Sequence, residues 1–386
     1  MKGAIALSIA ACLFLLSGCT SPAAIPAPTS IPSATPLPPI LTNTPAPTLT
    51  AVPVALPLSA PGPYRVGLRR SVAFKDPSRN GREVTITVWY PADLASGAAT
   101  SEPVADAGPD LSRAPYPVVL SSTKVGFYFA PHLASYGFVV VGVNGQDSKE
   151  HWGQWLTDYP LDIVFALKQL AANPVPGLEG VLDTDHAGAM GYSFDGYTAL
   201  ALSGARVDPE SYLARCSGAS SMESPPPEWW IGYICDLNGG WDAFVSNAGP
   251  RITTSSDGLW QPMTDPRIRA VLPMAPEGAW LFGERGLAAV DRPTLIIAAT
   301  GDTINLYGLE AAYIFDHLGT PDRAMVSFVG EGHMMIENPE RVARMQHFAV
   351  AFFGYHLRGQ TTYADYLSKE FIAGYPDLAW GKYPAP

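Results

Sequence analysis

Six short runs of apolar residues, separated by stretches of helical character, constrain this chain more than any other feature. "YPVVLSS", "GFVVVGV", "HAGAMGYS", "IRAVLPMA", "PTLIIAAT" and "AMVSFVG" have strand length and the apolar content of strands buried on both faces. Between the second and third lies the helical stretch "YPLDIVFALKQLAA", and after the last comes "NPERVARMQHFAVAFFGYHL". Alternation of this kind implies an α/β architecture: a mostly parallel central sheet with helices on both faces. An antiparallel opening is expected in "YRVGLRRSVAF" and "EVTITVWYPA", and further helices near residues 131–136 and directly after the third run. In such sheets function gathers at the carboxyl ends of the strands.

The 386 residues, 47% hydrophobic and 15% charged, exceed one average domain and suggest a catalytic-size domain with an accessory segment. "MKGAIALSIAACLFLLSGCTSP" has one lysine, an apolar run of signal-peptide length and then small residues, so residues 1–19 read as a targeting segment. Its end, Leu16-Ser17-Gly18-Cys19, resembles the bacterial lipobox. Cys19 is the expected lipid-bearing first residue of an exported protein anchored to the outer face of a bacterial membrane. Residues 20–63 are rich in Pro, Thr and Ala and nearly uncharged; such a segment cannot bury a core and is expected to be a disordered tether. At ~3.1 Å per residue it reaches on the order of 100 Å. The folded domain is then expected over 64–386, with an irregular, lid-like insertion at about 207–266.

Cys12 leaves with the signal, so two of the four cysteines, Cys216 and Cys235, remain for the folded part. Export favours a disulfide between them over two buried thiols. The net charge of -11, from 24 basic and 35 acidic residues without a basic cluster, argues against a nucleic-acid partner. No His, Cys or acidic cluster has metal-ligand spacing, and no metal or cofactor is expected.

Ser193 lies in "GYSFDG", at the end of the third run and the start of a helix. A sharp strand-to-helix turn there lifts the hydroxyl out of the sheet, and Gly191 and Gly196 permit the close approach. A glycine-flanked serine can also be a plain helix N-cap. A serine nucleophile needs a base, and the base needs an acid. Asp302 follows the fifth run in "PTLIIAATGDTIN", and His333 follows the sixth in "AMVSFVGEGHMM". Either alone reads equally well as a loop residue. Together, in the chain order Ser, Asp, His and on these strand ends, they read as a triad.

"GYSFDGYTAL", "DPRIRAVLPMAP", "GLAAVDRPTLIIAATGD" and "GHMMIENPERV" resemble the α/β-hydrolases related to platelet-activating-factor acetylhydrolases and dienelactone hydrolase-like esterases. The resemblance implies the α/β-hydrolase fold, with Ser193 as nucleophile, Asp302 as acid and His333 as base. It also implies hydrolysis of a carboxylic ester through an acyl-enzyme without a cofactor. Such enzymes carry a His-Gly pair after the first long buried strand, where this chain has Ser122-Thr123. The backbone N–H groups of Thr123 and Phe194 are the expected oxyanion hole. Asp195 stands where glycine is usual; a fixed charge there opposes an oxyanion, so replacing it by glycine is expected to raise turnover several-fold. Lys124, Phe127, Trp229, Trp230 and Glu277 are further pocket candidates. The aromatic residues of the insertion, Tyr233, Trp241 and Trp260 among them, wall a pocket or form a subsidiary core around the cysteines. The leading expectation is an esterase for a small neutral or apolar ester. The alternatives are an envelope binding protein of the same fold with little turnover, and an amidase or peptidase.

Overall fold

Each of the six apolar runs becomes a strand of a single sheet. The computed structural model describes residues 56–94, 102–145 and 152–384. Ten strands run among them: β1 (Arg65–Asp76), β2 (Arg82–Ala92), β3 (Val104–Ala105), β4 (Tyr116–Ser122), β5 (Val139–Val143), β6 (Leu182–Tyr192), β7 (Ile268–Met274), β8 (Thr294–Ala299), β9 (Arg323–Phe328) and β10 (Leu378–Trp380). The α-helices among the described residues are α1 (Thr123–Ser135), α2 (Trp152–Ala172), α3 (Phe194–Leu202), α4 (Pro209–Gly218), α5 (Glu228–Ile234), α6 (Trp241–Ala248), α7 (Pro250–Thr253), α8 (Ala279–Leu287), α9 (Ala311–His317), α10 (Pro339–Arg358) and α11 (Lys369–Ile372).

The sheet order is β10-β9-β8-β7-β6-β4-β5-β2-β1-β3. Every pairing from β5 across to β9 is parallel. β2 runs antiparallel to both β5 and β1, and β10 closes the other edge antiparallel to β9. Successive residues of a strand serve opposite layers: Val118 and Leu120 of β4 join the core under α2 with Ile163 and Leu167. Val119 joins the core under α1 and α10 with Phe129 and Phe348. Both faces are therefore dry, which is why the central strands read as unbroken apolar runs. β4 stands between β5 and β6, so the chain leaves it to one side and returns on the other. The crevice at such a reversal is where open parallel sheets place their sites.

The local expectations differ from the structure in three places. Helix α1 begins at Thr123, not near residue 131, because Ser122 caps it by accepting the Val125 N–H at 2.9 Å. The insertion expected to be irregular is helical, carrying α4 to α7. The proposed start of the folded part at residue 64 moves earlier. Leu56 and Leu58 are buried in the core under α1 and α10, and a Cβ at Gly62 would collide with the Ser135 carbonyl. Leu58 gives its N–H to His347 Nδ1 at 3.0 Å and accepts from His132 Nε2 at 2.8 Å. Residues 56–63 are thus a strap on the folded body. The rest of the expected tether, the signal segment and Cys19 lie outside the described residues. No helix among the described residues is long and apolar enough to cross a membrane.

Candidate active site

Ser193 occupies the single position between β6 and α3, with φ 59° and ψ −122°. Few non-glycine residues hold such a backbone, at a cost of roughly 1–3 kcal/mol. Its surroundings impose it. The Ser193 N–H donates to the Met274 carbonyl at the end of β7 at 2.9 Å, and its own carbonyl accepts the Gly196 N–H at 2.8 Å. A Cβ at Gly191 would collide with the Asp195 carbonyl oxygen, and one at Gly196 would come within 2.8 Å of Pro276 Cα. Both glycines are steric requirements of this turn.

The three residues read as a triad meet. His333 Nε2 lies 2.8 Å from Ser193 Oγ, and His333 Nδ1 lies 2.7 Å from Asp302 Oδ2. Asp302 Oδ1 accepts the N–H groups of Ile304 and Asn305, each at 2.8 Å, which aims Oδ2 at the imidazole. With a carboxylate at Nδ1, that nitrogen carries the proton and donates, leaving the Nε2 lone pair to accept the serine hydroxyl. His333 and Asp302 are 7% and 6% exposed, so little water competes for these bonds. The Tyr192 hydroxyl donates to the His333 carbonyl and braces the loop, a contact with no signal in the sequence.

Thr123 and Phe194 are the first residues of α1 and α3 and follow the adjacent strands β4 and β6. N–H groups in a first helical turn have no acceptor within their own helix. Asp195, the second residue of α3, is only 5% exposed and accepts the Ser122 hydroxyl at 2.6 Å. Its carboxylate joins Ser122, Thr123, Lys124, Phe127 and Tyr159 in lining a cavity of about 500 Å³. Lys124 and Phe127 line this cavity; Ser193 and His333 are not among its lining residues.

Neither a family model nor a curated protein matches this chain. The site therefore rests on its geometry.

Glu277 follows β7 and is buried. Burial pushes its carboxyl up to about 7; a hydrogen bond from Tyr233 opposes this, while the charge of Asp195 adds to it. The Tyr233 hydroxyl donates to Glu277 Oε2 at 2.9 Å, so the insertion reaches the strand ends through α5. Glu310, which sequence reasoning missed, is also buried. Burial raises its carboxyl well above the ordinary range, although it accepts the Ala279 N–H at 2.9 Å.

The tryptophans part company. Trp230 is fully buried, its ring edge-on to Trp280 with centroids 5.1 Å apart, and it does not line the cavity beside Asp195; it is a core residue, not a wall of that cavity. Trp229, its neighbour on α5, is 53% exposed. Trp241 packs on Tyr212, Phe244 and Trp260. A disulfide joins Cys216 of α4 to Cys235, the residue after α5. The buried rings Trp230, Phe244 and Trp260 share one core with Tyr197 of α3, Trp280 of α8 and Ile296 of β8, so they fasten the insertion to the body of the fold. No group of three or more His, Cys, Asp or Glu side chains among the described residues is arranged to hold a metal ion.

Proposed function

We propose that this chain is a serine ester hydrolase of the α/β-hydrolase fold, exported and held to a membrane by a lipid on Cys19, acting on a small neutral or apolar ester. The observation that carries this reading is the unbroken chain Ser193 Oγ, His333, Asp302, with the serine at a strained strand-to-helix turn. A plain helix N-cap would turn its hydroxyl to its own first-turn N–H groups. Ser193 makes no such bond. The order of the three residues after β6, β8 and β9, with Thr123 and Phe194 at two helix starts, supports the same reading.

In the reaction the Ser193 hydroxyl gives its proton to His333 Nε2 as its oxygen bonds to the ester carbonyl carbon. The carbonyl oxygen becomes an oxyanion, which the N–H groups of Thr123 and Phe194 receive. Asp302 stabilises the imidazolium without taking its proton. Collapse breaks the bond to the alcohol, which leaves with the proton from His333. Water then repeats the sequence on the acyl-enzyme, releasing the acid and restoring the serine.

Labelling with a fluorophosphonate, followed by mapping of the adduct, tests the reading. The expected result is one adduct, on Ser193, that the Ser193→Ala protein lacks. A folded wild-type protein without an adduct overturns it in favour of a binding protein of the same fold.

A further inference from the structure

The carboxylate two residues after the nucleophile does more than sit near it. Ser122 is the last residue of β4 and the N-cap of α1; Asp195 lies in the first turn of α3. The Ser122 hydroxyl accepts the Val125 N–H at 2.9 Å and donates to Asp195 Oδ2 at 2.6 Å. Both side chains are almost wholly buried, at 3% and 5% exposure. One hydroxyl therefore ties the start of α1 to the start of α3, across a gap of 73 residues in sequence. An aspartate in a first helical turn is ordinarily favoured by the N–H groups of its own helix; this one also reaches a neighbouring helix.

We propose that the Ser122–Asp195 hydrogen bond is a positioning device, holding the first turns of α1 and α3, and with them the N–H groups of Thr123 and Phe194, in register for the oxyanion. The proposal rests on the hydrolase reading above. Oxyanion donors act only when their spacing is right to within a few tenths of an ångström. Neither Thr123 nor Phe194 is a glycine, and each is tied to its helix, so the two donors keep register only if the helices do. The bond supplies that constraint where β4 passes into α1 through Ser122-Thr123 rather than through a His-Gly pair. It also reverses the expectation from charge alone. Seen as a point charge, Asp195 slows the reaction and glycine relieves it; seen as one end of a buried hydrogen bond, its removal loosens the hole.

The two effects separate in variants, because asparagine keeps an acceptor for Ser122 but carries no charge. With p-nitrophenyl acetate, Asp195→Ala and Ser122→Ala are each expected to lower kcat about 10- to 100-fold while KM stays within about threefold. The double variant should fall no further than the worse single one, because one bond is lost in all three. Asp195→Asn should recover most of what Asp195→Ala loses. A kcat for Asp195→Ala equal to or above wild type overturns the proposal, as does an equal loss in Asp195→Asn and Asp195→Ala. Ser122→Ala also removes the cap of α1; should it not fold, Asp195→Asn against Asp195→Leu makes the same comparison with the cap in place. A wild-type protein that labels at Ser193 and turns over, with variants that keep its kcat, sinks the positioning role and leaves the hydrolase reading standing. A wild type that neither labels nor turns over overturns both.

Discussion

His333 and His347 are both buried, at 7% and 0% exposure, and each ring is held at Nδ1. Their surroundings differ in sign. His333 donates a hydrogen bond from Nδ1 to the Asp302 carboxylate and turns Nε2 to a hydroxyl. His347 accepts the Leu58 N–H at Nδ1, has no hydrogen-bond partner at Nε2 among the described residues, and faces Arg344 of its own helix and His132 of α1, with the rings of Tyr366 and Phe371 packed against it. Burial first, and those basic neighbours second, push His347 down to about 3. Depth alone does not make a buried imidazole a base. An acid on the far nitrogen does, because it stabilises the cation the reaction creates. In the proposed reaction the first ring gains a proton, whereas the second holds the strap of residues 56–63 while neutral.

The sharpest way to break this contrast is kinetic. Ser193→Ala and His333→Ala should each lower kcat on a p-nitrophenyl ester by about a millionfold, and Asp302→Asn by about ten-thousandfold, since triad members act as a unit. His347→Leu should leave kcat within about twofold. If His347→Leu cost as much as His333→Ala, the strap histidine would belong to the chemistry and the contrast would fail.

A second contrast, between carboxyls, is smaller and is read in stability. Asp302 and Glu277 follow the neighbouring strands β8 and β7. Asp302 accepts two backbone N–H groups and an imidazole, whereas Glu277 has the Tyr233 hydroxyl and the nearby charge of Asp195. With Glu277 raised to about 7 from an ordinary 4.5, the native state keeps a proton that the unfolded chain releases. Its contribution is fully present below about pH 4.5 and is lost as pH rises through about 7. Glutamine cannot ionise, so Glu277→Gln should gain on wild type by on the order of 3 kcal/mol between pH 4 and pH 8. Glu310 is displaced the same way, in part by the charge of Glu277, so the variant also eases Glu310 and the difference widens in the same direction. Urea unfolding across that range measures it; a difference that does not change with pH would mean Glu277 ionises normally.

What was legible in the sequence follows the same division. The central strands were readable because parallel strands covered on both faces leave uninterrupted apolar runs, as in residues 116–122 and 294–299. Ser193, Asp302 and His333 were readable because each follows such a run, and strand order brings the ends together. The Ser122–Asp195 bond was hidden. Both residues were singled out, but their contact exists only because β4 and β6 are neighbours in the sheet. Trp229 and Trp230 are adjacent on one short helix, so one ring faces in and the other out, and composition cannot say which. Leu56 and Leu58 were lost in a Pro-rich stretch whose average composition describes a tether; two side chains and two histidines on distant helices make it a strap.

The smallest expected effect tests that strap. His347→Leu fills the space but leaves the Leu58 N–H without its acceptor, which should cost about 1–2 kcal/mol at pH 8. The sign of the pH dependence is opposite to that of Glu277. A histidine depressed from an ordinary 6.5 to about 3 contributes stability that is present above about pH 6.5 and is lost as pH falls toward 3. His132, lowered by its own burial, works in the same direction on the other side of Leu58. The advantage of wild type over His347→Leu should therefore be largest at pH 8 and shrink below pH 6.5, because leucine has no proton to gain. Hydrogen exchange at the Leu58 amide reads this locally: wild-type protection, corrected for intrinsic exchange, should fall on acidification while that of His347→Leu is low throughout. Equal protection in the two proteins at pH 8 would show that His347 does not hold the strap, and the two buried histidines would then differ in surroundings without differing in work.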